Sequence, residues 1–117
     1  MFCLVMAAAT IAWLVKLIGV SDGDTITVLR DERQPVKIRL YGIDCPERKQ
    51  PWGNRATQTT SRLCYGKAVD IQEFGHDRYG RTVAVVILPD GSSLQERLVS
   101  EDLAWIWPRY CKQAFCL

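Results

Sequence analysis

Apolar and polar positions alternate along the first third of the chain. Between Trp13 and Val20, Val15, Leu17 and Gly19 fall on one side and Leu14, Lys16 and Ile18 on the other, the period of a strand. Asp22-Gly23 marks a turn, and Thr25 to Leu29 follows as a second strand rich in β-branched residues. After a polar turn over Asp31 to Pro35, a third strand runs from Val36 to Tyr41. Val36, Ile38 and Leu40 share one of its faces, and Lys37, Arg39 and Tyr41 the other.

Pro46 and Pro51 keep the next segment irregular. With Asn54 as N-cap, the placement of Ala56, Thr60, Leu63 and Cys64 predicts a helix to Cys64, stopped by Gly66. Ala68–Phe74 and Thr82–Leu88 are two further strands joined by the Gly75–Arg81 turn, which holds His76. Ser93 caps a short helix carrying Leu94, Leu98 and Val99. Three strands, a helix, two strands and a short helix is the element order of an OB-fold barrel: α+β, mainly β, with five strands.

The 117 residues, 48% hydrophobic and 24% charged, fit one globular domain with one core and exclude a disordered chain. A net charge of +2 is too small to define an anionic partner, so attraction for nucleic acid must come from local Arg and Lys. Five cysteines without a Cys-x-x-Cys pair, and a single histidine, argue against structural zinc. Cys111 and Cys116 are spaced to bridge in an oxidising compartment, while Cys45 and Cys64 are either buried thiols or a second pair.

Residues 1–12 are apolar and rich in small side chains. They read as a signal peptide without its basic n-region or as an N-terminal extension, leaving 13–117 as the domain; the expectation is a secreted or periplasmic protein. The run is too short to span a bilayer as a helix before Lys16.

Three polar motifs punctuate the strands: Ser21-Asp22-Gly23-Asp24-Thr25, Arg39 to Glu47, and Asp77-Arg78-Tyr79-Gly80-Arg81. If the first and third strands are neighbours, Asp24 and Asp44 can converge on one hard cation; all-oxygen ligands favour Ca2+. Asp22 reads as ordinary Asp-Gly turn chemistry. Glu47 is placed to take a proton from an attacking water. Arg39 and Arg81 offer guanidinium groups that match phosphate geometry and stay charged at any working pH. Trp107 and Tyr110 are candidates for stacking on bases, whereas Trp105 is expected to pack. Arg48, Lys49 and Arg55 read as a solvated face.

The three motifs, in this order and spacing, resemble those of the staphylococcal nuclease family over about Trp13 to Tyr110. The resemblance implies an OB barrel and a calcium-dependent endonuclease that cleaves DNA and RNA, with a preference for single strands, by direct water attack, leaving 3′-phosphates. It implies Asp24, Asp44 and the main-chain carbonyl of Cys45 as metal ligands, Glu47 as general base, Arg39 and Arg81 as the catalytic phosphate-binding pair, and Tyr79, with Arg78 beside it, at the bound nucleotide.

Three features depart from the family. Cys45 stands where threonine is common, a change that a backbone ligand tolerates. The loop over Arg48-Lys49-Gln50-Pro51-Trp52 is shorter than in the staphylococcal enzyme. The family's C-terminal helix is expected to be lacking, which would expose apolar surface and favour self-association; no protein partner is evident otherwise. The alternative is a non-catalytic nucleic-acid-binding OB module, which has no need to keep Asp24, Asp44, Glu47, Arg39 and Arg81 together.

Overall fold

The computed structural model describes residues 11–106. In chain order its elements are β1 (Ile11–Asp22), β2 (Thr25–Arg30), β3 (Gln34–Leu40), β4 (Ile43–Asp44), α1 (Gly53–Cys64), β5 (Ala68–His76), β6 (Thr82–Ile87), α2 (Leu94–Ser100) and β7 (Trp105–Ile106). The first three strands form an antiparallel meander, and β5 and β6 form a hairpin. β1 pairs antiparallel with β5, while β3 runs parallel to β6 through Ile38–Thr82, Arg39–Val83 and Leu40–Ala84. These pairings close a barrel in the order β1-β2-β3-β6-β5, the OB-like, mainly-β architecture expected.

The alternation predicted along the strands sets the core. Leu17, Ile26, Ile38, Leu40, Ile71 and Val86 are fully buried, whereas Leu14 and Lys16 face outward. α1 contributes Ala56, Leu63 and Cys64, and α2 contributes Leu94 and Leu98, the apolar faces that cover the barrel. Cys45 and Cys64 are buried free thiols rather than a bridged pair. Cys111, Cys116, Trp107 and Tyr110 lie outside the described residues.

Several local expectations are corrected. β1 starts at Ile11 and continues to Asp22 through irregularities at Leu17/Gly19 and Val20/Asp22, because a bulge bends a strand without ending it. β1 and β3 are not neighbours; β2 lies between them. α1 begins at Gly53, with Trp52 at the N-cap in a left-handed conformation (φ 69°) and no side-chain cap, so Asn54 sits in the first turn. His76 is the last residue of β5, opposite Thr82, and not part of the turn. The β4–β7 ribbon has no counterpart in the sequence pattern, since two-residue strands carry no periodicity. Ser93 caps α2 as expected, its hydroxyl accepting the Glu96 amide at 3.0 Å. Among the described residues no helix is long and apolar enough to cross a membrane.

Candidate active site

Asp24 reaches the end of β3 through β2 rather than through β1. Thr25 pairs with Arg39, and the Leu40 amide donates to the Asp24 carbonyl at 2.9 Å. The Asp-Gly-Asp turn is pinned from behind by α1: the Thr60 hydroxyl, fully buried, donates to the Gly23 carbonyl at 2.8 Å. A Cβ on Gly23 would come within 2.8 Å of the Ala56 Cβ and 2.9 Å of the Cys45 Sγ. Only glycine allows the turn to lie this close to the helix.

Asp24 is 8% exposed. Its Oδ2 accepts the Cys45 amide at 2.9 Å and its Oδ1 the Thr25 hydroxyl at 3.2 Å. Arg39 links this carboxylate to the next one: its Nη2 lies 3.4 Å from Asp24 Oδ2 and also pairs with Asp44 Oδ1. Its Nη1 donates to the carbonyls of Leu40 and Ile43, each at 3.0 Å. The guanidinium is therefore fixed by both carboxylates and by the turn that carries Asp44.

Arg81 is held in another way. Asp77 Oδ1 accepts the amides of Tyr79 and Arg81, both at 2.9 Å, and its Oδ2 accepts Arg81 Nε at 2.7 Å. Burial opposes ionisation of Asp77, but the bonds from Arg81 and the Tyr79 amide outweigh it and hold its carboxyl below its ordinary value. Tyr79 stands 70% exposed, with the guanidiniums of Arg78 and Arg81 over its ring at 5.2 and 5.4 Å.

Glu47 lies exposed on the loop between β4 and α1. Gln50 Oε1 accepts its amide at 2.7 Å, and Asp22 Oδ1 accepts the amide of Arg48 at 3.2 Å. Asp22 is thus more than turn chemistry: it tethers the loop that carries Glu47. Gln50 is a second tether that nothing in the sequence marked. Asp24, Arg39, Asp44, Glu47 and Arg81 line one cleft of about 350 Å³. Trp105, expected to pack, is 53% exposed at this cleft, because its ribbon pairs it with Asp44. Arg48, Lys49 and Arg55 are exposed as expected.

Cys45, a buried residue, also lines the cleft. Burial, and then the negative charge of Asp24, push its thiol up to about 12 against the smaller opposing effect of Arg39. A thiol held neutral in this way is a poor nucleophile and a poor soft-metal ligand. Gln95, buried on α2, ties that helix to β6 by donating to the Ala84 carbonyl at 3.0 Å and accepting the Val86 amide at 3.3 Å. A buried glutamine on an otherwise apolar helix face gives no sequence signal of this role.

The oxygen donors of Asp24 and Asp44 suit a hard cation, but among the described residues no group of three His, Cys, Asp or Glu could hold a metal ion. Any cation here would be held by two carboxylates and main-chain or solvent oxygen, a set within the habits of Ca2+. The fold and the cleft together define an OB-like barrel with a mixed carboxylate–arginine site at one end of its parallel strand pair.

The family model described as "Staphylococcal nuclease homologue" matches residues 37–115, and the chain belongs to that family. It is 41% identical over 95 residues to an uncharacterized endonuclease of Escherichia coli O157:H7, covering 81% of this chain and 61% of that protein. A micrococcal nuclease of Shigella flexneri is 36% identical over 105 residues, covering 83% of this chain and 60% of that protein. The chain thus spans about three fifths of the length of these curated relatives.

Proposed function

We propose that this protein is a calcium-dependent endonuclease that hydrolyses phosphodiester bonds of DNA and RNA and leaves 3′-phosphate ends. The observation that carries the reading is the convergence of two carboxylates, two restrained guanidiniums and an exposed glutamate on one cleft. Membership of a family with relatives named as nucleases supports the hydrolytic class.

In this mechanism Glu47 takes a proton from a water molecule, whose oxygen forms a bond to phosphorus. Arg39 and Arg81 bind the phosphoryl oxygens and stabilise the added charge of the transition state. The bond from phosphorus to the 5′-oxygen breaks, and that oxygen leaves and takes up a proton; the phosphate stays on the 3′ side. Asp24 and Asp44, with the Cys45 main-chain carbonyl, would hold Ca2+, which when bound neutralises phosphate charge. Asp24 and Asp44 fix the orientation of the Arg39 guanidinium and Asp77 that of Arg81, so the direction in which each faces the cleft is set before substrate binds. Exposed Trp105 lines the cleft with an aromatic face on which an unpaired base can stack, which favours single strands. Export to the periplasm or medium belongs to the same proposal, supported by the apolar character of the residues that precede β1.

Glu47→Gln and Arg81→Ala test the assignment. Each is expected to lower turnover on DNA by roughly 10²-fold or more, with the thermal transition retained. Wild-type turnover in either purified variant would contradict it.

A further inference from the structure

A second groove, of about 380 Å³, shares Arg81 with the active cleft, and its walls formed by Arg30, Lys37 and His76 have no part in the mechanism above. Its basic walls are Arg30, Lys37, His76 and Arg81, and no carboxylate lines it. Arg81 lines both hollows, and Tyr79 lines the second. A smaller recess between Lys37, Tyr79 and Arg81 continues the same surface.

The strand geometry makes this continuity regular. Ile38 and Leu40 turn inward and are buried, so Lys37 and Arg39 project from the outer face of β3, about 7 Å apart along the strand. The cations differ in how far they are already engaged. Arg81 is tied to Asp77, Arg39 to two carboxylates, and the Arg30 guanidinium lies 4.4 Å over the Trp13 ring. Lys37 is exposed and makes no ion pair among the described residues. A point charge on a flexible stem, next to an exposed tyrosine, suits a backbone phosphate that needs neutralising but no fixed bidentate geometry.

We propose that this groove binds the sugar–phosphate backbone of a single-stranded nucleic acid flanking the cleaved bond, with Lys37 as its principal phosphate contact. The proposal deepens the nuclease reading and rests on it for the course of the strand, which passes from the cleft over Tyr79 and Arg81 to Lys37. It gives a protein of small net charge a local electrostatic track.

The test is fluorescence polarisation of a labelled oligothymidylate without divalent cation, titrated across sodium chloride concentration. Lys37→Ala is expected to weaken binding several-fold and to flatten the slope of log affinity against log salt by about 0.7, one phosphate's worth for a single strand. Lys37→Glu is expected to weaken it further, and Lys67→Ala, an exposed lysine elsewhere, to match wild type. Wild-type affinity and slope in Lys37→Glu would overturn the proposal. So would no binding by wild type, or equal Lys37-dependent binding of polyglutamate. Cleavage is scored separately: a protein that binds in this Lys37-dependent way but cuts nothing keeps the groove and loses the hydrolytic reading. A protein that cuts, with Lys37→Glu binding as wild type, keeps the reading and loses the groove.

Discussion

Gly53 and Glu47 are in direct backbone contact: a Cβ added to Gly53 would fall inside the Glu47 carbonyl oxygen. The first residue of α1 therefore fixes where the loop bearing the proposed base can lie. Gly53→Ala must move one backbone or the other, at a cost of about 1–3 kcal/mol typical of overpacking. Turnover is expected to fall at least tenfold while the far-ultraviolet spectrum stays native. Equal turnover in the variant would mean that the position of Glu47 is not set here.

Thr60→Val keeps the shape of the side chain and removes the donor to the Gly23 carbonyl. An unsatisfied buried carbonyl costs about 1–3 kcal/mol, so the melting temperature should drop by several degrees. The turn that carries Asp24 also loosens, and a higher calcium requirement for cleavage is expected. Thr60→Ser, which keeps the hydroxyl donor, should need calcium at close to the wild-type level.

Asp77 acts on Arg81 through two backbone amides and the guanidinium itself. Asp77→Asn keeps one acceptor and loses the ion pair; kcat is expected to fall about tenfold with little change in stability, since the pair is partly exposed. Because the folded Asp77 titrates below its ordinary 3.8, its contribution to stability is present above that pH and is lost as pH falls through the lower folded value. Thermal melts between pH 5 and pH 2.5 should show a smaller acid loss in Asp77→Asn than in wild type.

The buried thiols act at the other end of the scale. Cys45 and Cys64 are both pushed from 9.0 up to about 12, chiefly by burial. The unfolded chain ionises first, so stability is full below pH 9 and declines as pH rises towards 12. At about pH 10.5 each thiol should cost roughly 2 kcal/mol. Cys64→Ala should show a shallower alkaline decline than wild type, measured relative to its own stability at pH 7.

The barrel was legible because its signals are local. Alternation of Val15 and Leu17 against Leu14 and Lys16, the Asp22-Gly23 turn, and the Gly66 stop each follow from neighbouring residues. The site was legible in composition but not in assembly. Adjacent first and third strands are the one route the sequence offers for Asp24 and Asp44 to meet, yet β2 intervenes and brings Asp24 to β3 through its own first residue. The rest depends on tertiary contacts that no period encodes. Asp22 and Gln50 hold the Glu47 loop, Gln95 braces β6, and the two-residue ribbon exposes Trp105 where its size favoured burial. The helix starts at Gly53, one residue before Asn54, and Trp52 at its N-cap makes no side-chain cap bond.

Phosphodiester hydrolysis in the cleft with the help of calcium is the activity proposed for this protein. The most direct measurement is digestion of single-stranded and plasmid DNA by purified protein with calcium and then with excess chelator, followed by end analysis of the products. Calcium-dependent cutting that leaves 3′-phosphate ends is the predicted result. Binding of the same DNA without cleavage at any calcium concentration would contradict it.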